Sequence, residues 1–231
     1  MPAKPTWKDL LARSEPLILP CAHDALSARL IERAGFAAYS VGGYALVGAR
    51  HALPDAPKRC GHMAGKDVID ADAMAAKLRA AVAARRGADL FIIARTDARA
   101  VHGLDEALRR GELYLKAGAD GLFIEAPQSI DELTRIGRTF QGVPQLANMV
   151  EGGGRTPVLP PHELYRLGFA MVAYPTSLIF RVARAIENAL ADLKHGRPTG
   201  ENDGVDFETF KDITSFGDWA EVEQRAATLR K

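Results

Sequence analysis

Cysteine is nearly absent from this chain: Cys21 and Cys60 are the only two among 231 residues. Two cysteines make no disulfide framework at this length, and they point to a reducing compartment in which a thiol stays free for chemistry. A charge excess is missing too. Thirty Lys and Arg face 29 Asp and Glu, a formal net charge of +1, which argues against nucleic acid as a partner. No apolar run approaches the ~18 residues of a membrane span. The opening "MPAKPTWKDLLARSEP" is too polar for a secretory leader, so the expected location is the cytoplasm. What is present is a globular composition, 47% hydrophobic and 26% charged, long enough for one sizeable core.

Apolar runs of strand length recur at "PLILPC" (16–21), "FAAYSV" (36–41), "LFIIAR" (90–95), "GLFIEA" (121–126), "PQLANMV" (144–150) and "AMVAYP" (170–175). Most are separated by helical patterns: "DALSARLIERAG", "DADAMAAKLRAAVAARRG", "LDEALRRGELYLKAG", "IDELTRIGRTF" and "PPHELYRLG". Near-continuous apolar strands alternating with amphipathic helices predict βα units around a buried parallel sheet, and a (β/α) barrel of TIM type is the leading fold. Asp24 and Asp105 near helix starts, and Gly35, Gly118 and Gly168 after last turns, punctuate the pattern.

Such a barrel carries its active site just past the C-terminal ends of its strands. There the sequence places His23 and Asp24; Ser40, Gly42, Gly43 and Tyr44; Arg95, Thr96 and Asp97; Glu125; Asn148 and Glu151; Thr176 and Ser177. Asp24 and Asp97 also read as helix caps, and Ser177 as a helix start. Arg95 and Glu125 are costly to bury unpaired, so either they pair with each other or Arg95 presents its fork to a substrate carboxylate. In "APKRCGHMAGK" (56–66), Lys58, Arg59 and His62 surround Cys60 and favour its thiolate, whereas the bland alternative is an exposed loop thiol.

"PKRCGH", "IIARTDAR", "AGADGLFIEAP", "LANMVEGGGRTP" and "YPTSL", in that order, resemble the isocitrate lyase and phosphoenolpyruvate mutase superfamily. "DALSARLIERAGF" and "LPD" (53–55) fit its N-terminal part. The resemblance implies a Mg-dependent enzyme that makes or breaks a C–C bond beside the carboxylate of a small 2-hydroxy or 2-oxo acid. It is similar to the lyase branch in having Cys60, which that branch uses to protonate the departing carbanion, with Lys58, Arg59 and His62 beside it. By the same likeness Arg95 and Asn148 bind carboxylate, while Asp55 and Glu125 lie at the metal. Ser40 or Gly42 takes a substrate-contacting position, with Gly43, Glu151, Thr176 and Ser177 around it.

One departure from the family outweighs any substitution. Relatives carry two further βα units between "LPD" and "PKRCGH", and these hold the principal magnesium ligands. Here Asp55 runs directly into "APKRCGH", leaving six strand candidates where eight are expected. No other acidic constellation replaces them, and "DAD" (70–72) reads as a helix cap. The incomplete barrel is expected over residues 1–196, lacking about two βα units after residue 55. It either closes across the junction or stays open, and an open sheet has two exposed edges.

Residues 197–231 read as a C-terminal helical extension, packed on its own barrel or, as the family likeness implies, on a neighbouring subunit of a homo-oligomer. Two functions follow: a lyase for a small di- or tricarboxylate, or a non-catalytic remnant with a carboxylate-binding mouth. Phosphate recognition by "EGGGR" (151–155) is a weaker third.

Overall fold

The computed structural model describes residues 5–51, 67–197, 200 and 203–228. In chain order the elements are α1 (Trp7–Leu11), β1 (Leu17–Ala22), α2 (Ala25–Arg33), β2 (Ser40–Val41), α3 (Gly43–His51), α4 (Ala71–Arg85), β3 (Ile93–Thr96), α5 (Ala98–His102) and α6 (Leu104–Lys116). They continue with β4 (Gly121–Ile124), α7 (Ile130–Thr139), β5 (Leu146–Asn148), α8 (Pro161–Arg166), β6 (Met171–Tyr174), α9 (Ser177–Lys194), α10 (Phe207–Ile213) and α11 (Phe216–Thr228).

All the strand pairs are parallel. Four strands run in the order β2-β1-β6-β5, and β3 pairs with β4. A parallel bridge between Leu122 and Gln145 joins the two groups, so the order across the molecule is β2-β1-β6-β5-β4-β3. First and last strands lie side by side, as barrel closure requires. Among the described residues no strand pairs with the outer edges of β2 and β3, and the barrel is incomplete on that side. Of the two outcomes the sequence allowed, closure or an open seam, the second holds among the described residues.

Local chemistry accounts for most helix boundaries. Asp24 caps α2 by accepting from the Ser27 N–H at 2.7 Å. Asp70 caps α4 by accepting from the N–H groups of Asp72 and Ala73, so "DAD" is a cap. Ser129 does the same for α7. Asp97 sits at the N-cap position of α5 but makes no capping hydrogen bond; its carboxylate is turned to Arg95 instead.

The second apolar run forms strand only over Ser40–Val41, where it overlaps Cys21–Ala22 of β1. Phe36 and Tyr39, at its start, are exposed, because an edge segment forms a ladder only where it has a neighbour. Helices α1 and α3 match no helical pattern in the sequence, and α5 is signalled there only by Asp97 as a cap.

Alternation along the strands sorts the core into two layers. Leu17 and Leu19 of β1 and Met171 and Ala173 of β6 face the interior with Leu10, and Trp7, Phe91, Ile93 and Leu146 pack against them. The Trp7 and Phe91 rings lie 5.7 Å apart, so α1 closes the N-terminal end of the barrel. The opposite sheet face packs on α4, α6, α7 and α8 through Ala94, Leu122, Ile124, Val172, Leu78, Leu133, Ile136 and Leu164. A Cβ on Gly137 of α7 would stand 1.6 Å from the Leu167 carbonyl oxygen, so this approach requires glycine. Helix α10 meets α2 through an Arg33–Asp212 ion pair at 2.8 Å, and just beyond α10 Ser215 accepts a hydrogen bond from Arg29. No helix of the described residues is long and apolar enough to cross a membrane.

Candidate active site

Two-residue periodicity carries the interior face upward from the apolar layer: Ile93 predicts an inward Arg95, Phe123 an inward Glu125, and Leu146 an inward Asn148. The three polar side chains meet at the C-terminal end of the sheet. Arg95 Nη2 lies 2.9 Å from Glu125 Oε2. Asn148 Nδ2 lies 3.3 and 3.4 Å from the two Glu125 oxygens. Arg95 also grips Asp97 with both ends of its fork, Nε to Oδ2 at 3.0 Å and Nη2 to Oδ1 at 2.9 Å, and its guanidinium rests 4.9 Å from the Phe123 ring centre.

Burial grades the cluster. Glu125 is 1% exposed, Asp97 12% and Arg95 41%. The buried carboxylate therefore holds the arginine and the amide from below, and the guanidinium reaches the mouth. Arg95 and Glu125 do pair with each other, and the pairing leaves Arg95 partly accessible.

A second cluster joins the loop after β5 to the start of α9. The Ser177 hydroxyl donates to the Glu151 carboxylate, and the buried Thr176 hydroxyl donates to the Glu151 carbonyl at 3.3 Å. Tyr174, at the end of β6, was not singled out in the sequence. Burial, with the nearby Glu151 charge adding to it, pushes its phenol above the usual range. The available signal was its position as the last strand residue before "PTS".

On the far side, the Ser40 hydroxyl donates to the Pro20 carbonyl at 3.4 Å, and the Gly42 N–H donates to Cys21 Sγ at 3.1 Å. Gly43 opens α3. The ring of the exposed Tyr44 meets Phe180 of α9 edge to face at 6.5 Å. His23 is buried beside Asp24, with Nε2 3.7 Å from Asp24 Oδ2 and with Nδ1 lacking a partner among the described residues. Burial raises the Asp24 carboxyl, but the hydrogen bonds from Ser27 outweigh it, so it titrates below the ordinary range. Asp24 serves its helix.

Asp55, Lys58, Arg59, Cys60 and His62 lie outside the described residues. The structure thus brings together Arg95, Asp97, Glu125 and Asn148, and separately Glu151, Thr176 and Ser177. Magnesium favours carboxylate and water oxygens. Among the described residues no group of three or more His, Cys, Asp or Glu gathers to hold a metal, and the carboxylates of Asp97 and Glu125 are both engaged by Arg95. By themselves, the described residues do not fit a magnesium site.

Comparison with known proteins adds four findings. The family model for phosphoenolpyruvate phosphomutase matches residues 55–194. The chain is 32% identical to the petal death protein of Dianthus caryophyllus, with 96% of this chain and 89% of the relative covered. It is 34% identical to 2,3-dimethylmalate lyase of Eubacterium barkeri, with 96% of this chain and 98% of the relative covered. Among solved structures, oxaloacetate acetylhydrolase in complex with 3,3-difluorooxalacetate superposes with a TM-score of 0.88 at 24% identity, covering 96% of each chain. The alignment to 2,3-dimethylmalate lyase runs over 284 positions but draws on 96% of a 231-residue chain, about 222 residues. About 62 of its positions therefore have no counterpart here.

Proposed function

Because this chain belongs to the phosphoenolpyruvate phosphomutase/isocitrate lyase family, we propose that it is a carbon–carbon lyase for a small 2-hydroxy or 2-oxo di- or tricarboxylic acid, releasing a 2-oxo acid such as pyruvate. The observation that carries this reading is the Arg95–Glu125–Asn148 cluster at the C-terminal ends of β3, β4 and β5. A guanidinium and an amide converge on the buried Glu125 carboxylate, and the guanidinium, partly exposed, reaches the mouth. That arrangement suits a substrate carboxylate.

In this reading Arg95 and Asn148 hold the carboxylate next to the bond that breaks, and Glu125 fixes both donors. Cys60 returns a proton to the departing carbon, its thiol tuned by Lys58, Arg59 and His62. Ser40, Gly42 and Gly43 on one side, and Glu151, Thr176 and Ser177 on the other, border the rest of the substrate. Magnesium, which the family resemblance implies, would stabilise an enolate. Glu125 and Asp55 are its proposed ligands, and the described residues alone do not complete that set.

The proposed working form is a homo-oligomer in the cytoplasm. Helix α9 supports the oligomer: its 18 residues include none that is buried, and Phe180, Ile186, Leu190 and Leu193 lie exposed along it.

The test is release of a 2-oxo acid from a panel including 2-methylisocitrate, 2,3-dimethylmalate and oxaloacetate, with and without Mg²⁺, on protein of confirmed intact mass. Metal-dependent release that Cys60→Ser reduces at least ~100-fold, with binding kept, supports the reading. Silence across the panel overturns it. The missing barrel segment favours one second reading, a non-catalytic protein that binds carboxylates. Calorimetric oxalate binding without turnover, insensitive to EDTA, would establish it.

A further inference from the structure

We propose that the open seam between β2 and β3 is an interaction surface for a separate polypeptide of two βα units, about 60 residues long, whose strands add in parallel to both edges. Three observations lead there, and none depends on the lyase reading.

The first is topology. Among the described residues β2 pairs on one side only, with β1, and β3 on one side only, with β4. All the pairings are parallel, so the two edges run in the same direction around one wall. Each presents unpaired ladder positions that a parallel strand satisfies. An occupant must therefore bring two parallel strands, and parallel strands need a crossover between them.

The second is width. Among the described residues there are six strands where a barrel of this type has eight. The chain nevertheless superposes on oxaloacetate acetylhydrolase over 96% of its length with a TM-score of 0.88. The six strands thus share that fold. The alignment to 2,3-dimethylmalate lyase leaves about 62 positions unmatched, which is the length of two βα units at ~30 residues each.

The third is exposed apolar surface along the seam. Val41, on the edge strand β2, is 62% exposed. Tyr39 and Phe36 extend the patch on the β2 side. In parallel sheets both faces are normally covered by helices, and the helices of the added units would lie over this patch.

The experiment mixes the full chain with a fragment of the Eubacterium barkeri 2,3-dimethylmalate lyase spanning the positions that have no counterpart here. Readouts are native mass spectrometry and thermal melting at ~10 μM chain and ~50 μM fragment. A 1:1 complex is expected, with the melting temperature raised by about 5 °C. Val41→Lys, at an exposed edge position, should keep the fold and lose most of the complex. The proposal is overturned by no complex at these concentrations. It is equally overturned by a complex that Val41→Lys leaves unchanged, by one that forms as well with a fragment bearing proline in both strands, or by a dimer of the chain alone that Val41→Lys abolishes. Turnover is not a readout, so failure here leaves the lyase reading standing.

Discussion

At the scale of single residues, Arg95 matters most because it does two things. It neutralises the buried Glu125 and the half-hidden Asp97, and with 41% of its side chain exposed it still reaches the mouth. Lysine keeps the charge but not the planar fork. Arg95→Lys should therefore weaken binding of an oxalate-type dicarboxylate about tenfold or more and lower the melting temperature, measured by calorimetry and thermal scan on one preparation. Unchanged affinity would remove Arg95 from the site. The alternation of "FIIART" and "GLFIEA" made the inward direction of Arg95 and Glu125 legible. Their partnership with Asn148 was not, because it depends on three strands lying side by side.

Among the elements, helix α7 is held closest to its neighbour. The Gly137 backbone meets the Leu167 carbonyl too tightly for any Cβ, so Gly137→Ala should cost about 3 kcal/mol in denaturant unfolding, the range of overpacked or displaced cores. Helix α6 gives a pH signature. Glu106 accepts from Arg109 and Arg110, which hold its carboxyl down to about 2. A carboxyl lowered on folding contributes stability that is present above its unfolded value near 4.5 and is lost as pH falls toward 2. Glu106→Gln should therefore destabilise the protein at pH 7 by about 1 kcal/mol, the gap being discounted because the side chain remains in contact with water. The difference should vanish near pH 2. A constant difference across that range would assign it to packing instead.

At the scale of the whole molecule, what governs behaviour is the surface the barrel leaves uncovered. The apolar side of α9 is the proposed contact between copies. Ile186, 54% exposed, is one position on it, and Ile186→Glu should reduce the mass measured by light scattering from oligomer to monomer at ~20 μM with little change in helicity. A wild-type monomer would refute that contact. In α10, Asp212 pairs with Arg33 of α2 in the same chain. The tail therefore rests on its own barrel there, while Phe216 and Trp219 of α11 are exposed.

The sequence by itself determined the class of fold, the places of the strands and most helix starts, and the membership of a family. These follow from local rules: alternation, capping and ordered motifs need only near neighbours along the chain. It also offered six strand candidates against the eight of a full barrel, since that is a matter of counting. Only the tertiary structure decided that the wall stays open, that β2 shrinks to Ser40–Val41, and that Asp97 turns to Arg95 rather than capping its helix. Each of those outcomes depends on what stands across space from a residue: an absent neighbouring strand, or a guanidinium within reach. That information lies in the pairing of strands distant in the chain.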